Sequence, residues 1–167
     1  LQRKRGSWHE LIETLQKHAG LEPSPQRKAG LYTQLAELLE MQVQDVPGAV
    51  NAYQQALVYD AKARAVADDL DDSKKPGAKA ALVALDRLYR RTEQWEPLID
   101  VLGKRAEQEP EERESLLFRL EAGQIWDLRV HDAGRAIAAY QSVLDIDPGN
   151  QQALRALESL YEKTNQS

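Results

Sequence analysis

The sequence holds no cysteine, which excludes disulfides, thiolate nucleophiles and cysteine-ligated zinc together and leaves the redox compartment unread. One phenylalanine and few isoleucines and threonines leave little to build strands, whereas Ala, Leu, Glu, Gln, Arg and Lys, which lose little rotamer freedom in a helix, are plentiful. A basic excess is missing too: 27 acidic against 22 basic residues give a net charge of −5, which would repel a phosphate backbone, so nucleic acid is not an expected partner. No apolar run approaches the roughly 20 residues that cross a bilayer, so membrane insertion is not expected either. Leu1-Gln2-Arg3-Lys4-Arg5 has no apolar stretch behind it resembling a secretory signal, and the compartment stays unassigned.

Catalytic signatures are equally scarce. His9-Glu10 lacks the second histidine, four residues on, of a zinc-binding helix, and no glutamate stands three residues before a histidine as a di-iron bundle requires. There is no Gly-x-Ser-x-Gly elbow, and the loop Lys74 to Lys79 lacks the glycine spacing that cradles phosphate. The acidic run Glu107, Glu109, Glu111, Glu112, Glu114 surrounds Pro110, where carboxylates favour a helix N-terminus. These residues predict no enzyme, no cofactor and no metal site.

What the chain does contain is a repeat. Sliding it by 87 residues aligns Trp8–Asp60 with Trp95–Asp147 without a gap, and 16 of 53 positions agree, among them Trp8/Trp95, Leu11/Leu98, Asp45/Asp132, Tyr53/Tyr140 and Asp60/Asp147. A shift of 72 aligns Ala81, Leu82, Leu85, Leu88 and Tyr89 with Ala153, Leu154, Leu157, Leu160 and Tyr161. The difference between the shifts is a 15-residue insertion in the first copy near Lys62 to Gly77. Apolar residues recur at helical spacing within each copy. Pro23, Pro25 and Pro110 stand where helices start, Asp45 and Asp132 read as N-caps, and Asp147-Pro148-Gly149-Asn150 as a turn. The pattern predicts helices near 7–19, 26–43, 46–60, 78–92, 94–108, 111–130, 133–146 and 150–164, joined by short links as antiparallel hairpins. Ala61-Lys62 stands where the other copy has Pro148-Gly149, so the helix starting near Pro47 is expected to run on towards Leu70, with Lys74–Gly77 the most mobile internal stretch.

Asp145-Ile146-Asp147-Pro148-Gly149-Asn150, followed by Ala153, Leu154, Leu157 and Tyr161, resembles the junction between two tetratricopeptide repeats. Leu82, Leu85 and Tyr89 match the family's helix A, Trp95 the aromatic opening helix B, and Pro110 the closing proline. Asp86 and Glu158 stand where the family has a small residue, Leu98 and Arg105 replace small residues of helix B, and the spans 36–49 and 123–136 are each one residue long. The resemblance implies an all-α, right-handed α-solenoid of about eight helices, a divergent piece of a longer, bacterial-type array. Its units would be a partial unit (helix B) over 1–24, repeats over 25–61, 78–112 and 113–149 with the insertion at 62–77, and a partial unit (helix A) over 150–167. Gly6-Ser7-Trp8 resembles the turn between helices A and B.

The same resemblance implies a non-catalytic scaffold receiving a peptide or helix of a partner protein in a concave groove. Its groove positions fall on Glu37, Glu40, Arg87, Arg90, Arg91, Gln124, Asp127, Arg155, Ser159 and Glu162, with Thr33, Met41, Val83, Leu120 and Leu128 beside them. The Lys/Asn/Arg clamp used by family members on chaperone carboxyl-terminal peptides is absent there. Two alternatives stay open: a self-assembly segment joined through exposed array ends, and a recruiting module of an enzyme whose catalytic part lies elsewhere. Arg87, Arg90 and Arg91, at i, i+3, i+4, share one helix face and form the expected contact for acidic groups. On this reading, alanine at all three weakens partner binding at low salt and leaves the thermal midpoint nearly unchanged.

Overall fold

In the computed structural model, residues 2–66 and 79–165 are described, with side chains from residue 6 onward. Among them are eight α-helices and no strand, as the composition requires. They are α1 (Gln2–Leu21), α2 (Pro25–Leu38), α3 (Val46–Val66), α4 (Lys79–Arg91), α5 (Trp95–Gln108), α6 (Glu112–Ile125), α7 (Ala133–Ile146) and α8 (Gln151–Asn165). The chain divides into two compact units, Leu1–Leu88 and Tyr89–Ser167, with the boundary inside α4.

In the first unit α1 packs on α2 and α2 on α3. Ser24 caps α2 by accepting from the Arg27 N–H, and Pro25 occupies the first helical position, where its missing N–H costs nothing. α3 runs through Asp60 as far as Val66, so the missing Pro-Gly stop has the expected effect. The remainder of that expectation, to Leu70 and over Lys74–Gly77, lies outside the described residues. Asp60 is drawn into the interior and held by Arg64 one turn on, at 3.0 Å. One expectation is corrected: Gly6-Ser7 is no turn, because α1 is already helical from Gln2. The aligned pair Glu93-Gln94 does turn, with Glu93 at φ 53° and the Gln94 N–H donating to the Tyr89 carbonyl.

In the second unit each helix packs on the next from α5 to α8. Its core joins Leu116 and Leu120 of α6, Ala136, Tyr140 and Val143 of α7, and Ala153, Leu157 and Leu160 of α8. The buried Ser115 hydroxyl donates to the Ala106 carbonyl at 2.7 Å, tying the start of α6 to the end of α5. At the predicted turn the Asp147 carboxylate accepts from the Gly149 N–H and the Asn150 side chain, and Asn150 caps α8 through the Ala153 N–H.

The surplus residue in the spans 36–49 and 123–136 has a definite place. α2 and α6 each end in a π-helical turn, Leu39–Val43 and Trp126–Val130, which takes up one residue more than an α-turn. Both close on a left-handed residue, Gln44 and His131 at φ 61°. Asp45 and Asp132 follow, their N–H groups reaching back to the Leu39 and Trp126 carbonyls while their side chains cap α3 and α7.

Gly123 fixes how closely α6 and α7 approach. A Cβ there would stand 2.8 Å from the Tyr140 ring, a buried side chain with no room to withdraw. Gly123→Ala therefore gains about 1 kcal/mol of helix propensity but incurs an overpacking cost of roughly 1–3 kcal/mol. The net outcome expected in chemical denaturation is a loss of about 1 kcal/mol with an unchanged m-value; a more stable variant would show that the α6–α7 contact yields freely.

Candidate partner-binding surface

The two π-turns carry acidic residues at aligned positions, Glu40 and Asp127. The wider turn swings Glu40 inward, where its side chain is only 6% exposed. There it accepts from the Tyr53 hydroxyl at 3.3 Å and from both terminal nitrogens of the Arg87 guanidinium, Nη1 at 2.8 Å and Nη2 at 3.0 Å. A carboxylate buried in this way needs both partners, because a single neutral hydrogen bond does not offset its desolvation. In the second copy Asp127 stands 3.9 Å from Lys163 on α8 and lies near Tyr140, the counterpart of Tyr53.

This arrangement corrects the expected cationic stripe. Arg87 is committed to Glu40, and Arg90 pairs with Glu121 of α6, so two of the three guanidinium groups already have counter-charges within the fold. Removing Arg87 would strand the Glu40 carboxylate, so alanine at all three positions would not leave stability untouched. Arg91 is exposed. Glu40 is buried beneath its pairing with Arg87 and Tyr53, and Leu120 is a core residue rather than a groove contact. Glu37, Gln124, Arg155, Ser159 and Glu162 are exposed, as are Met41, Val83 and Leu128, while Thr33 and Asp127 are half-buried.

Within the second unit, Arg90 and Gln124 come together in one cleft of about 340 Å³. Trp95, Glu121, Ile125, Leu128 and Arg129 complete its lining. The Arg129 guanidinium lies 5.0 Å over the Trp95 ring, and Leu128 is 60% exposed at its edge. The cleft thus offers apolar surface beside two arginines and one glutamate, a net single positive charge. Sequence reading did not include Trp95 or Arg129 among the groove positions; Trp8, Trp95 and Trp126 are all half-buried, and Arg135 covers Trp126 at 4.7 Å. His131 is the left-handed cap, with its ring 3.2 Å from the Asp127 carbonyl. Among the described residues no cluster of three potential metal ligands occurs, and no helix is long and apolar enough to cross a membrane.

The pair α4 and α5 carries the family signature directly: residues 81–114 match the tetratricopeptide repeat model. That match makes one stretch of the chain tetratricopeptide-like, a kind of repeat that in general mediates protein interaction, and the internal duplication sets sequence-related helices on either side of it. The crystal structure of MamA aligns with 98% of this chain and 82% of its own, at 16% identity and a TM-score of 0.42. No curated protein matches the sequence.

The two equivalent tyrosines give this region a pH signature. Burial pushes the Tyr53 hydroxyl from its ordinary 10 up to about 12, helped by the charge and hydrogen bond of Glu40 and the charge of Glu37 and opposed by Arg87. Burial and the Asp127 charge do the same for Tyr140, also to about 12. The unfolded chain loses these protons from pH 10 while the folded chain keeps them, so this stabilisation is complete below pH 10 and is lost as pH rises towards 12. Thermal midpoints are expected to fall over that interval, and Tyr53→Phe with Tyr140→Phe to flatten the fall; an equal slope in the double variant would show that the hydroxyls are not held.

Proposed function

We propose that this chain is a non-catalytic scaffold that holds a segment of a partner protein, with the contact in the second unit made beside the A-type helix α6. The observation carrying the reading is the cleft beside α6, where the groove candidates Arg90, Gln124 and Leu128 meet around Trp95. Leu128 and Trp95 supply apolar area, Gln124 supplies an amide able to bond an extended backbone, and with Arg90 paired to Glu121 the Arg129 guanidinium over Trp95 leaves the rim singly positive. A partner segment suited to it is amphipathic and anchored by an apolar side chain. The other candidates of the second unit, Arg91, Asp127, Arg155, Ser159 and Glu162, would orient that segment and speed its approach, since exposed ion pairs contribute only about 0–1 kcal/mol each.

A photo-crosslinking residue at position 128, introduced in the source cell, should capture a partner that the same residue at Leu117, which is also exposed, does not. Gln124→Ala alongside it should reduce the yield several-fold. Absence of a product specific to position 128, with the protein expressed and folded, would overturn the cleft as the contact.

A further inference from the structure

The internal duplication separates what the two π-turns share from what sets them apart. The shared part is apolar. Met41 and Leu128 hold aligned positions and are 63% and 60% exposed, Trp8 and Trp95 are both half-buried, and Leu38 and Ile125 are both buried. The difference is one of charge: Glu37 and Gln42 stand in the first copy where Gln124 and Arg129 stand in the second, all four of them exposed. The apolar parts recur and the cation does not, so the packing of the repeat does not require Arg129. Its surroundings are also unlike those of the other stacked arginine in its unit. Arg135 lies over Trp126 and is paired with Asp132 at 3.4 Å, whereas Arg129 lies 5.0 Å over Trp95 and pairs with no carboxylate among the described residues. Contact with the face of a ring engages none of the five N–H donors of a guanidinium, so those of Arg129 stay available.

From this contrast we infer that the partner segment entering the cleft carries a carboxylate next to its apolar anchor, and that Arg129 selects it. The anchor rests on Leu128 and Trp95, which brings its neighbour in the partner chain beside Arg129. A guanidinium already held by a ring can take both oxygens of a carboxylate with less loss of freedom than a mobile lysine would. The other arginine of the cleft, Arg90, is paired with Glu121, so the single excess positive charge resides at Arg129. The net charge of −5 opposes a strongly acidic partner at long range, so the fit is to one carboxylate recognised on contact rather than to an acidic run. This inference rests on the cleft as the contact and names the chemistry of what enters it.

The test combines the photo-crosslinking residue at position 128 with three replacements of its neighbour: Arg129→Gln, the residue at the aligned position of the first copy, Arg129→Glu and Arg129→Lys. Circular dichroism of each purified variant checks that it remains as helical as the parent. With Arg129 in place, mass spectrometry of the crosslinked product should find an aspartate or glutamate directly before or after the captured apolar residue. The yield should fall several-fold in Arg129→Gln and further in Arg129→Glu, while Arg129→Lys keeps most of it because the charge remains. A captured residue flanked only by lysine, arginine or uncharged residues overturns the inference, and so does a yield that Arg129→Glu leaves unchanged. In both of those cases a product at position 128 persists and the cleft stands as the contact. Absence of any product at position 128 overturns the cleft, and this inference with it.

Discussion

One surplus residue in each link between a first and a second helix constrains the rest of the molecule. Ala36 to Ala49 and Gly123 to Ala136 both run one residue long, and both of these small residues must still sit where their helices pack. The excess could have bulged into the connection. Instead α2 and α6 end in a π-turn that keeps backbone groups bonded and lets Asp45 and Asp132 cap the next helix directly. A wider turn also changes which side chain points inward, and at both turns the rotated position is acidic.

From that rotation follows the polar organisation of the first unit. Glu40 is buried because the turn places it there, Tyr53 and Arg87 are engaged because Glu40 is buried, and Arg87 is thereby lost as a free cation for a ligand. The second unit follows the same plan with looser parts: Asp127 is half-exposed, its lysine is farther away, and a glycine replaces Ala36 to admit Tyr140. Close packing against Gly123 and charge pairing at Glu40 are alternative ways of fixing one helix junction.

Much of this was legible before any coordinates. Asp45 and Asp132 as caps, the Asp147–Asn150 turn and the run of α3 beyond Asp60 are local matters, decided by residues within a turn or two of each other, and they read correctly. The one-residue excess was visible as a count, though not as a π-turn, since nothing in the count says where the extra residue lodges. Arg87 and Glu40 are 47 positions apart with the insertion between them, and no periodicity links them, so the arginines looked free when judged against their own helix. Gly6-Ser7 failed for a related reason: glycine permits a turn without compelling one, and its aligned residue turns with a glutamate instead.

The left-handed caps Gln44, Glu93 and His131 hold a further consequence. None is glycine, and a side chain in that conformation costs roughly 1–2 kcal/mol more than an ordinary backbone. All three lie at junctions between helices, so the chain concentrates its conformational strain in its joints while its rods remain relaxed. Glycine at any of the three positions would therefore ease a junction without entering a helix interior.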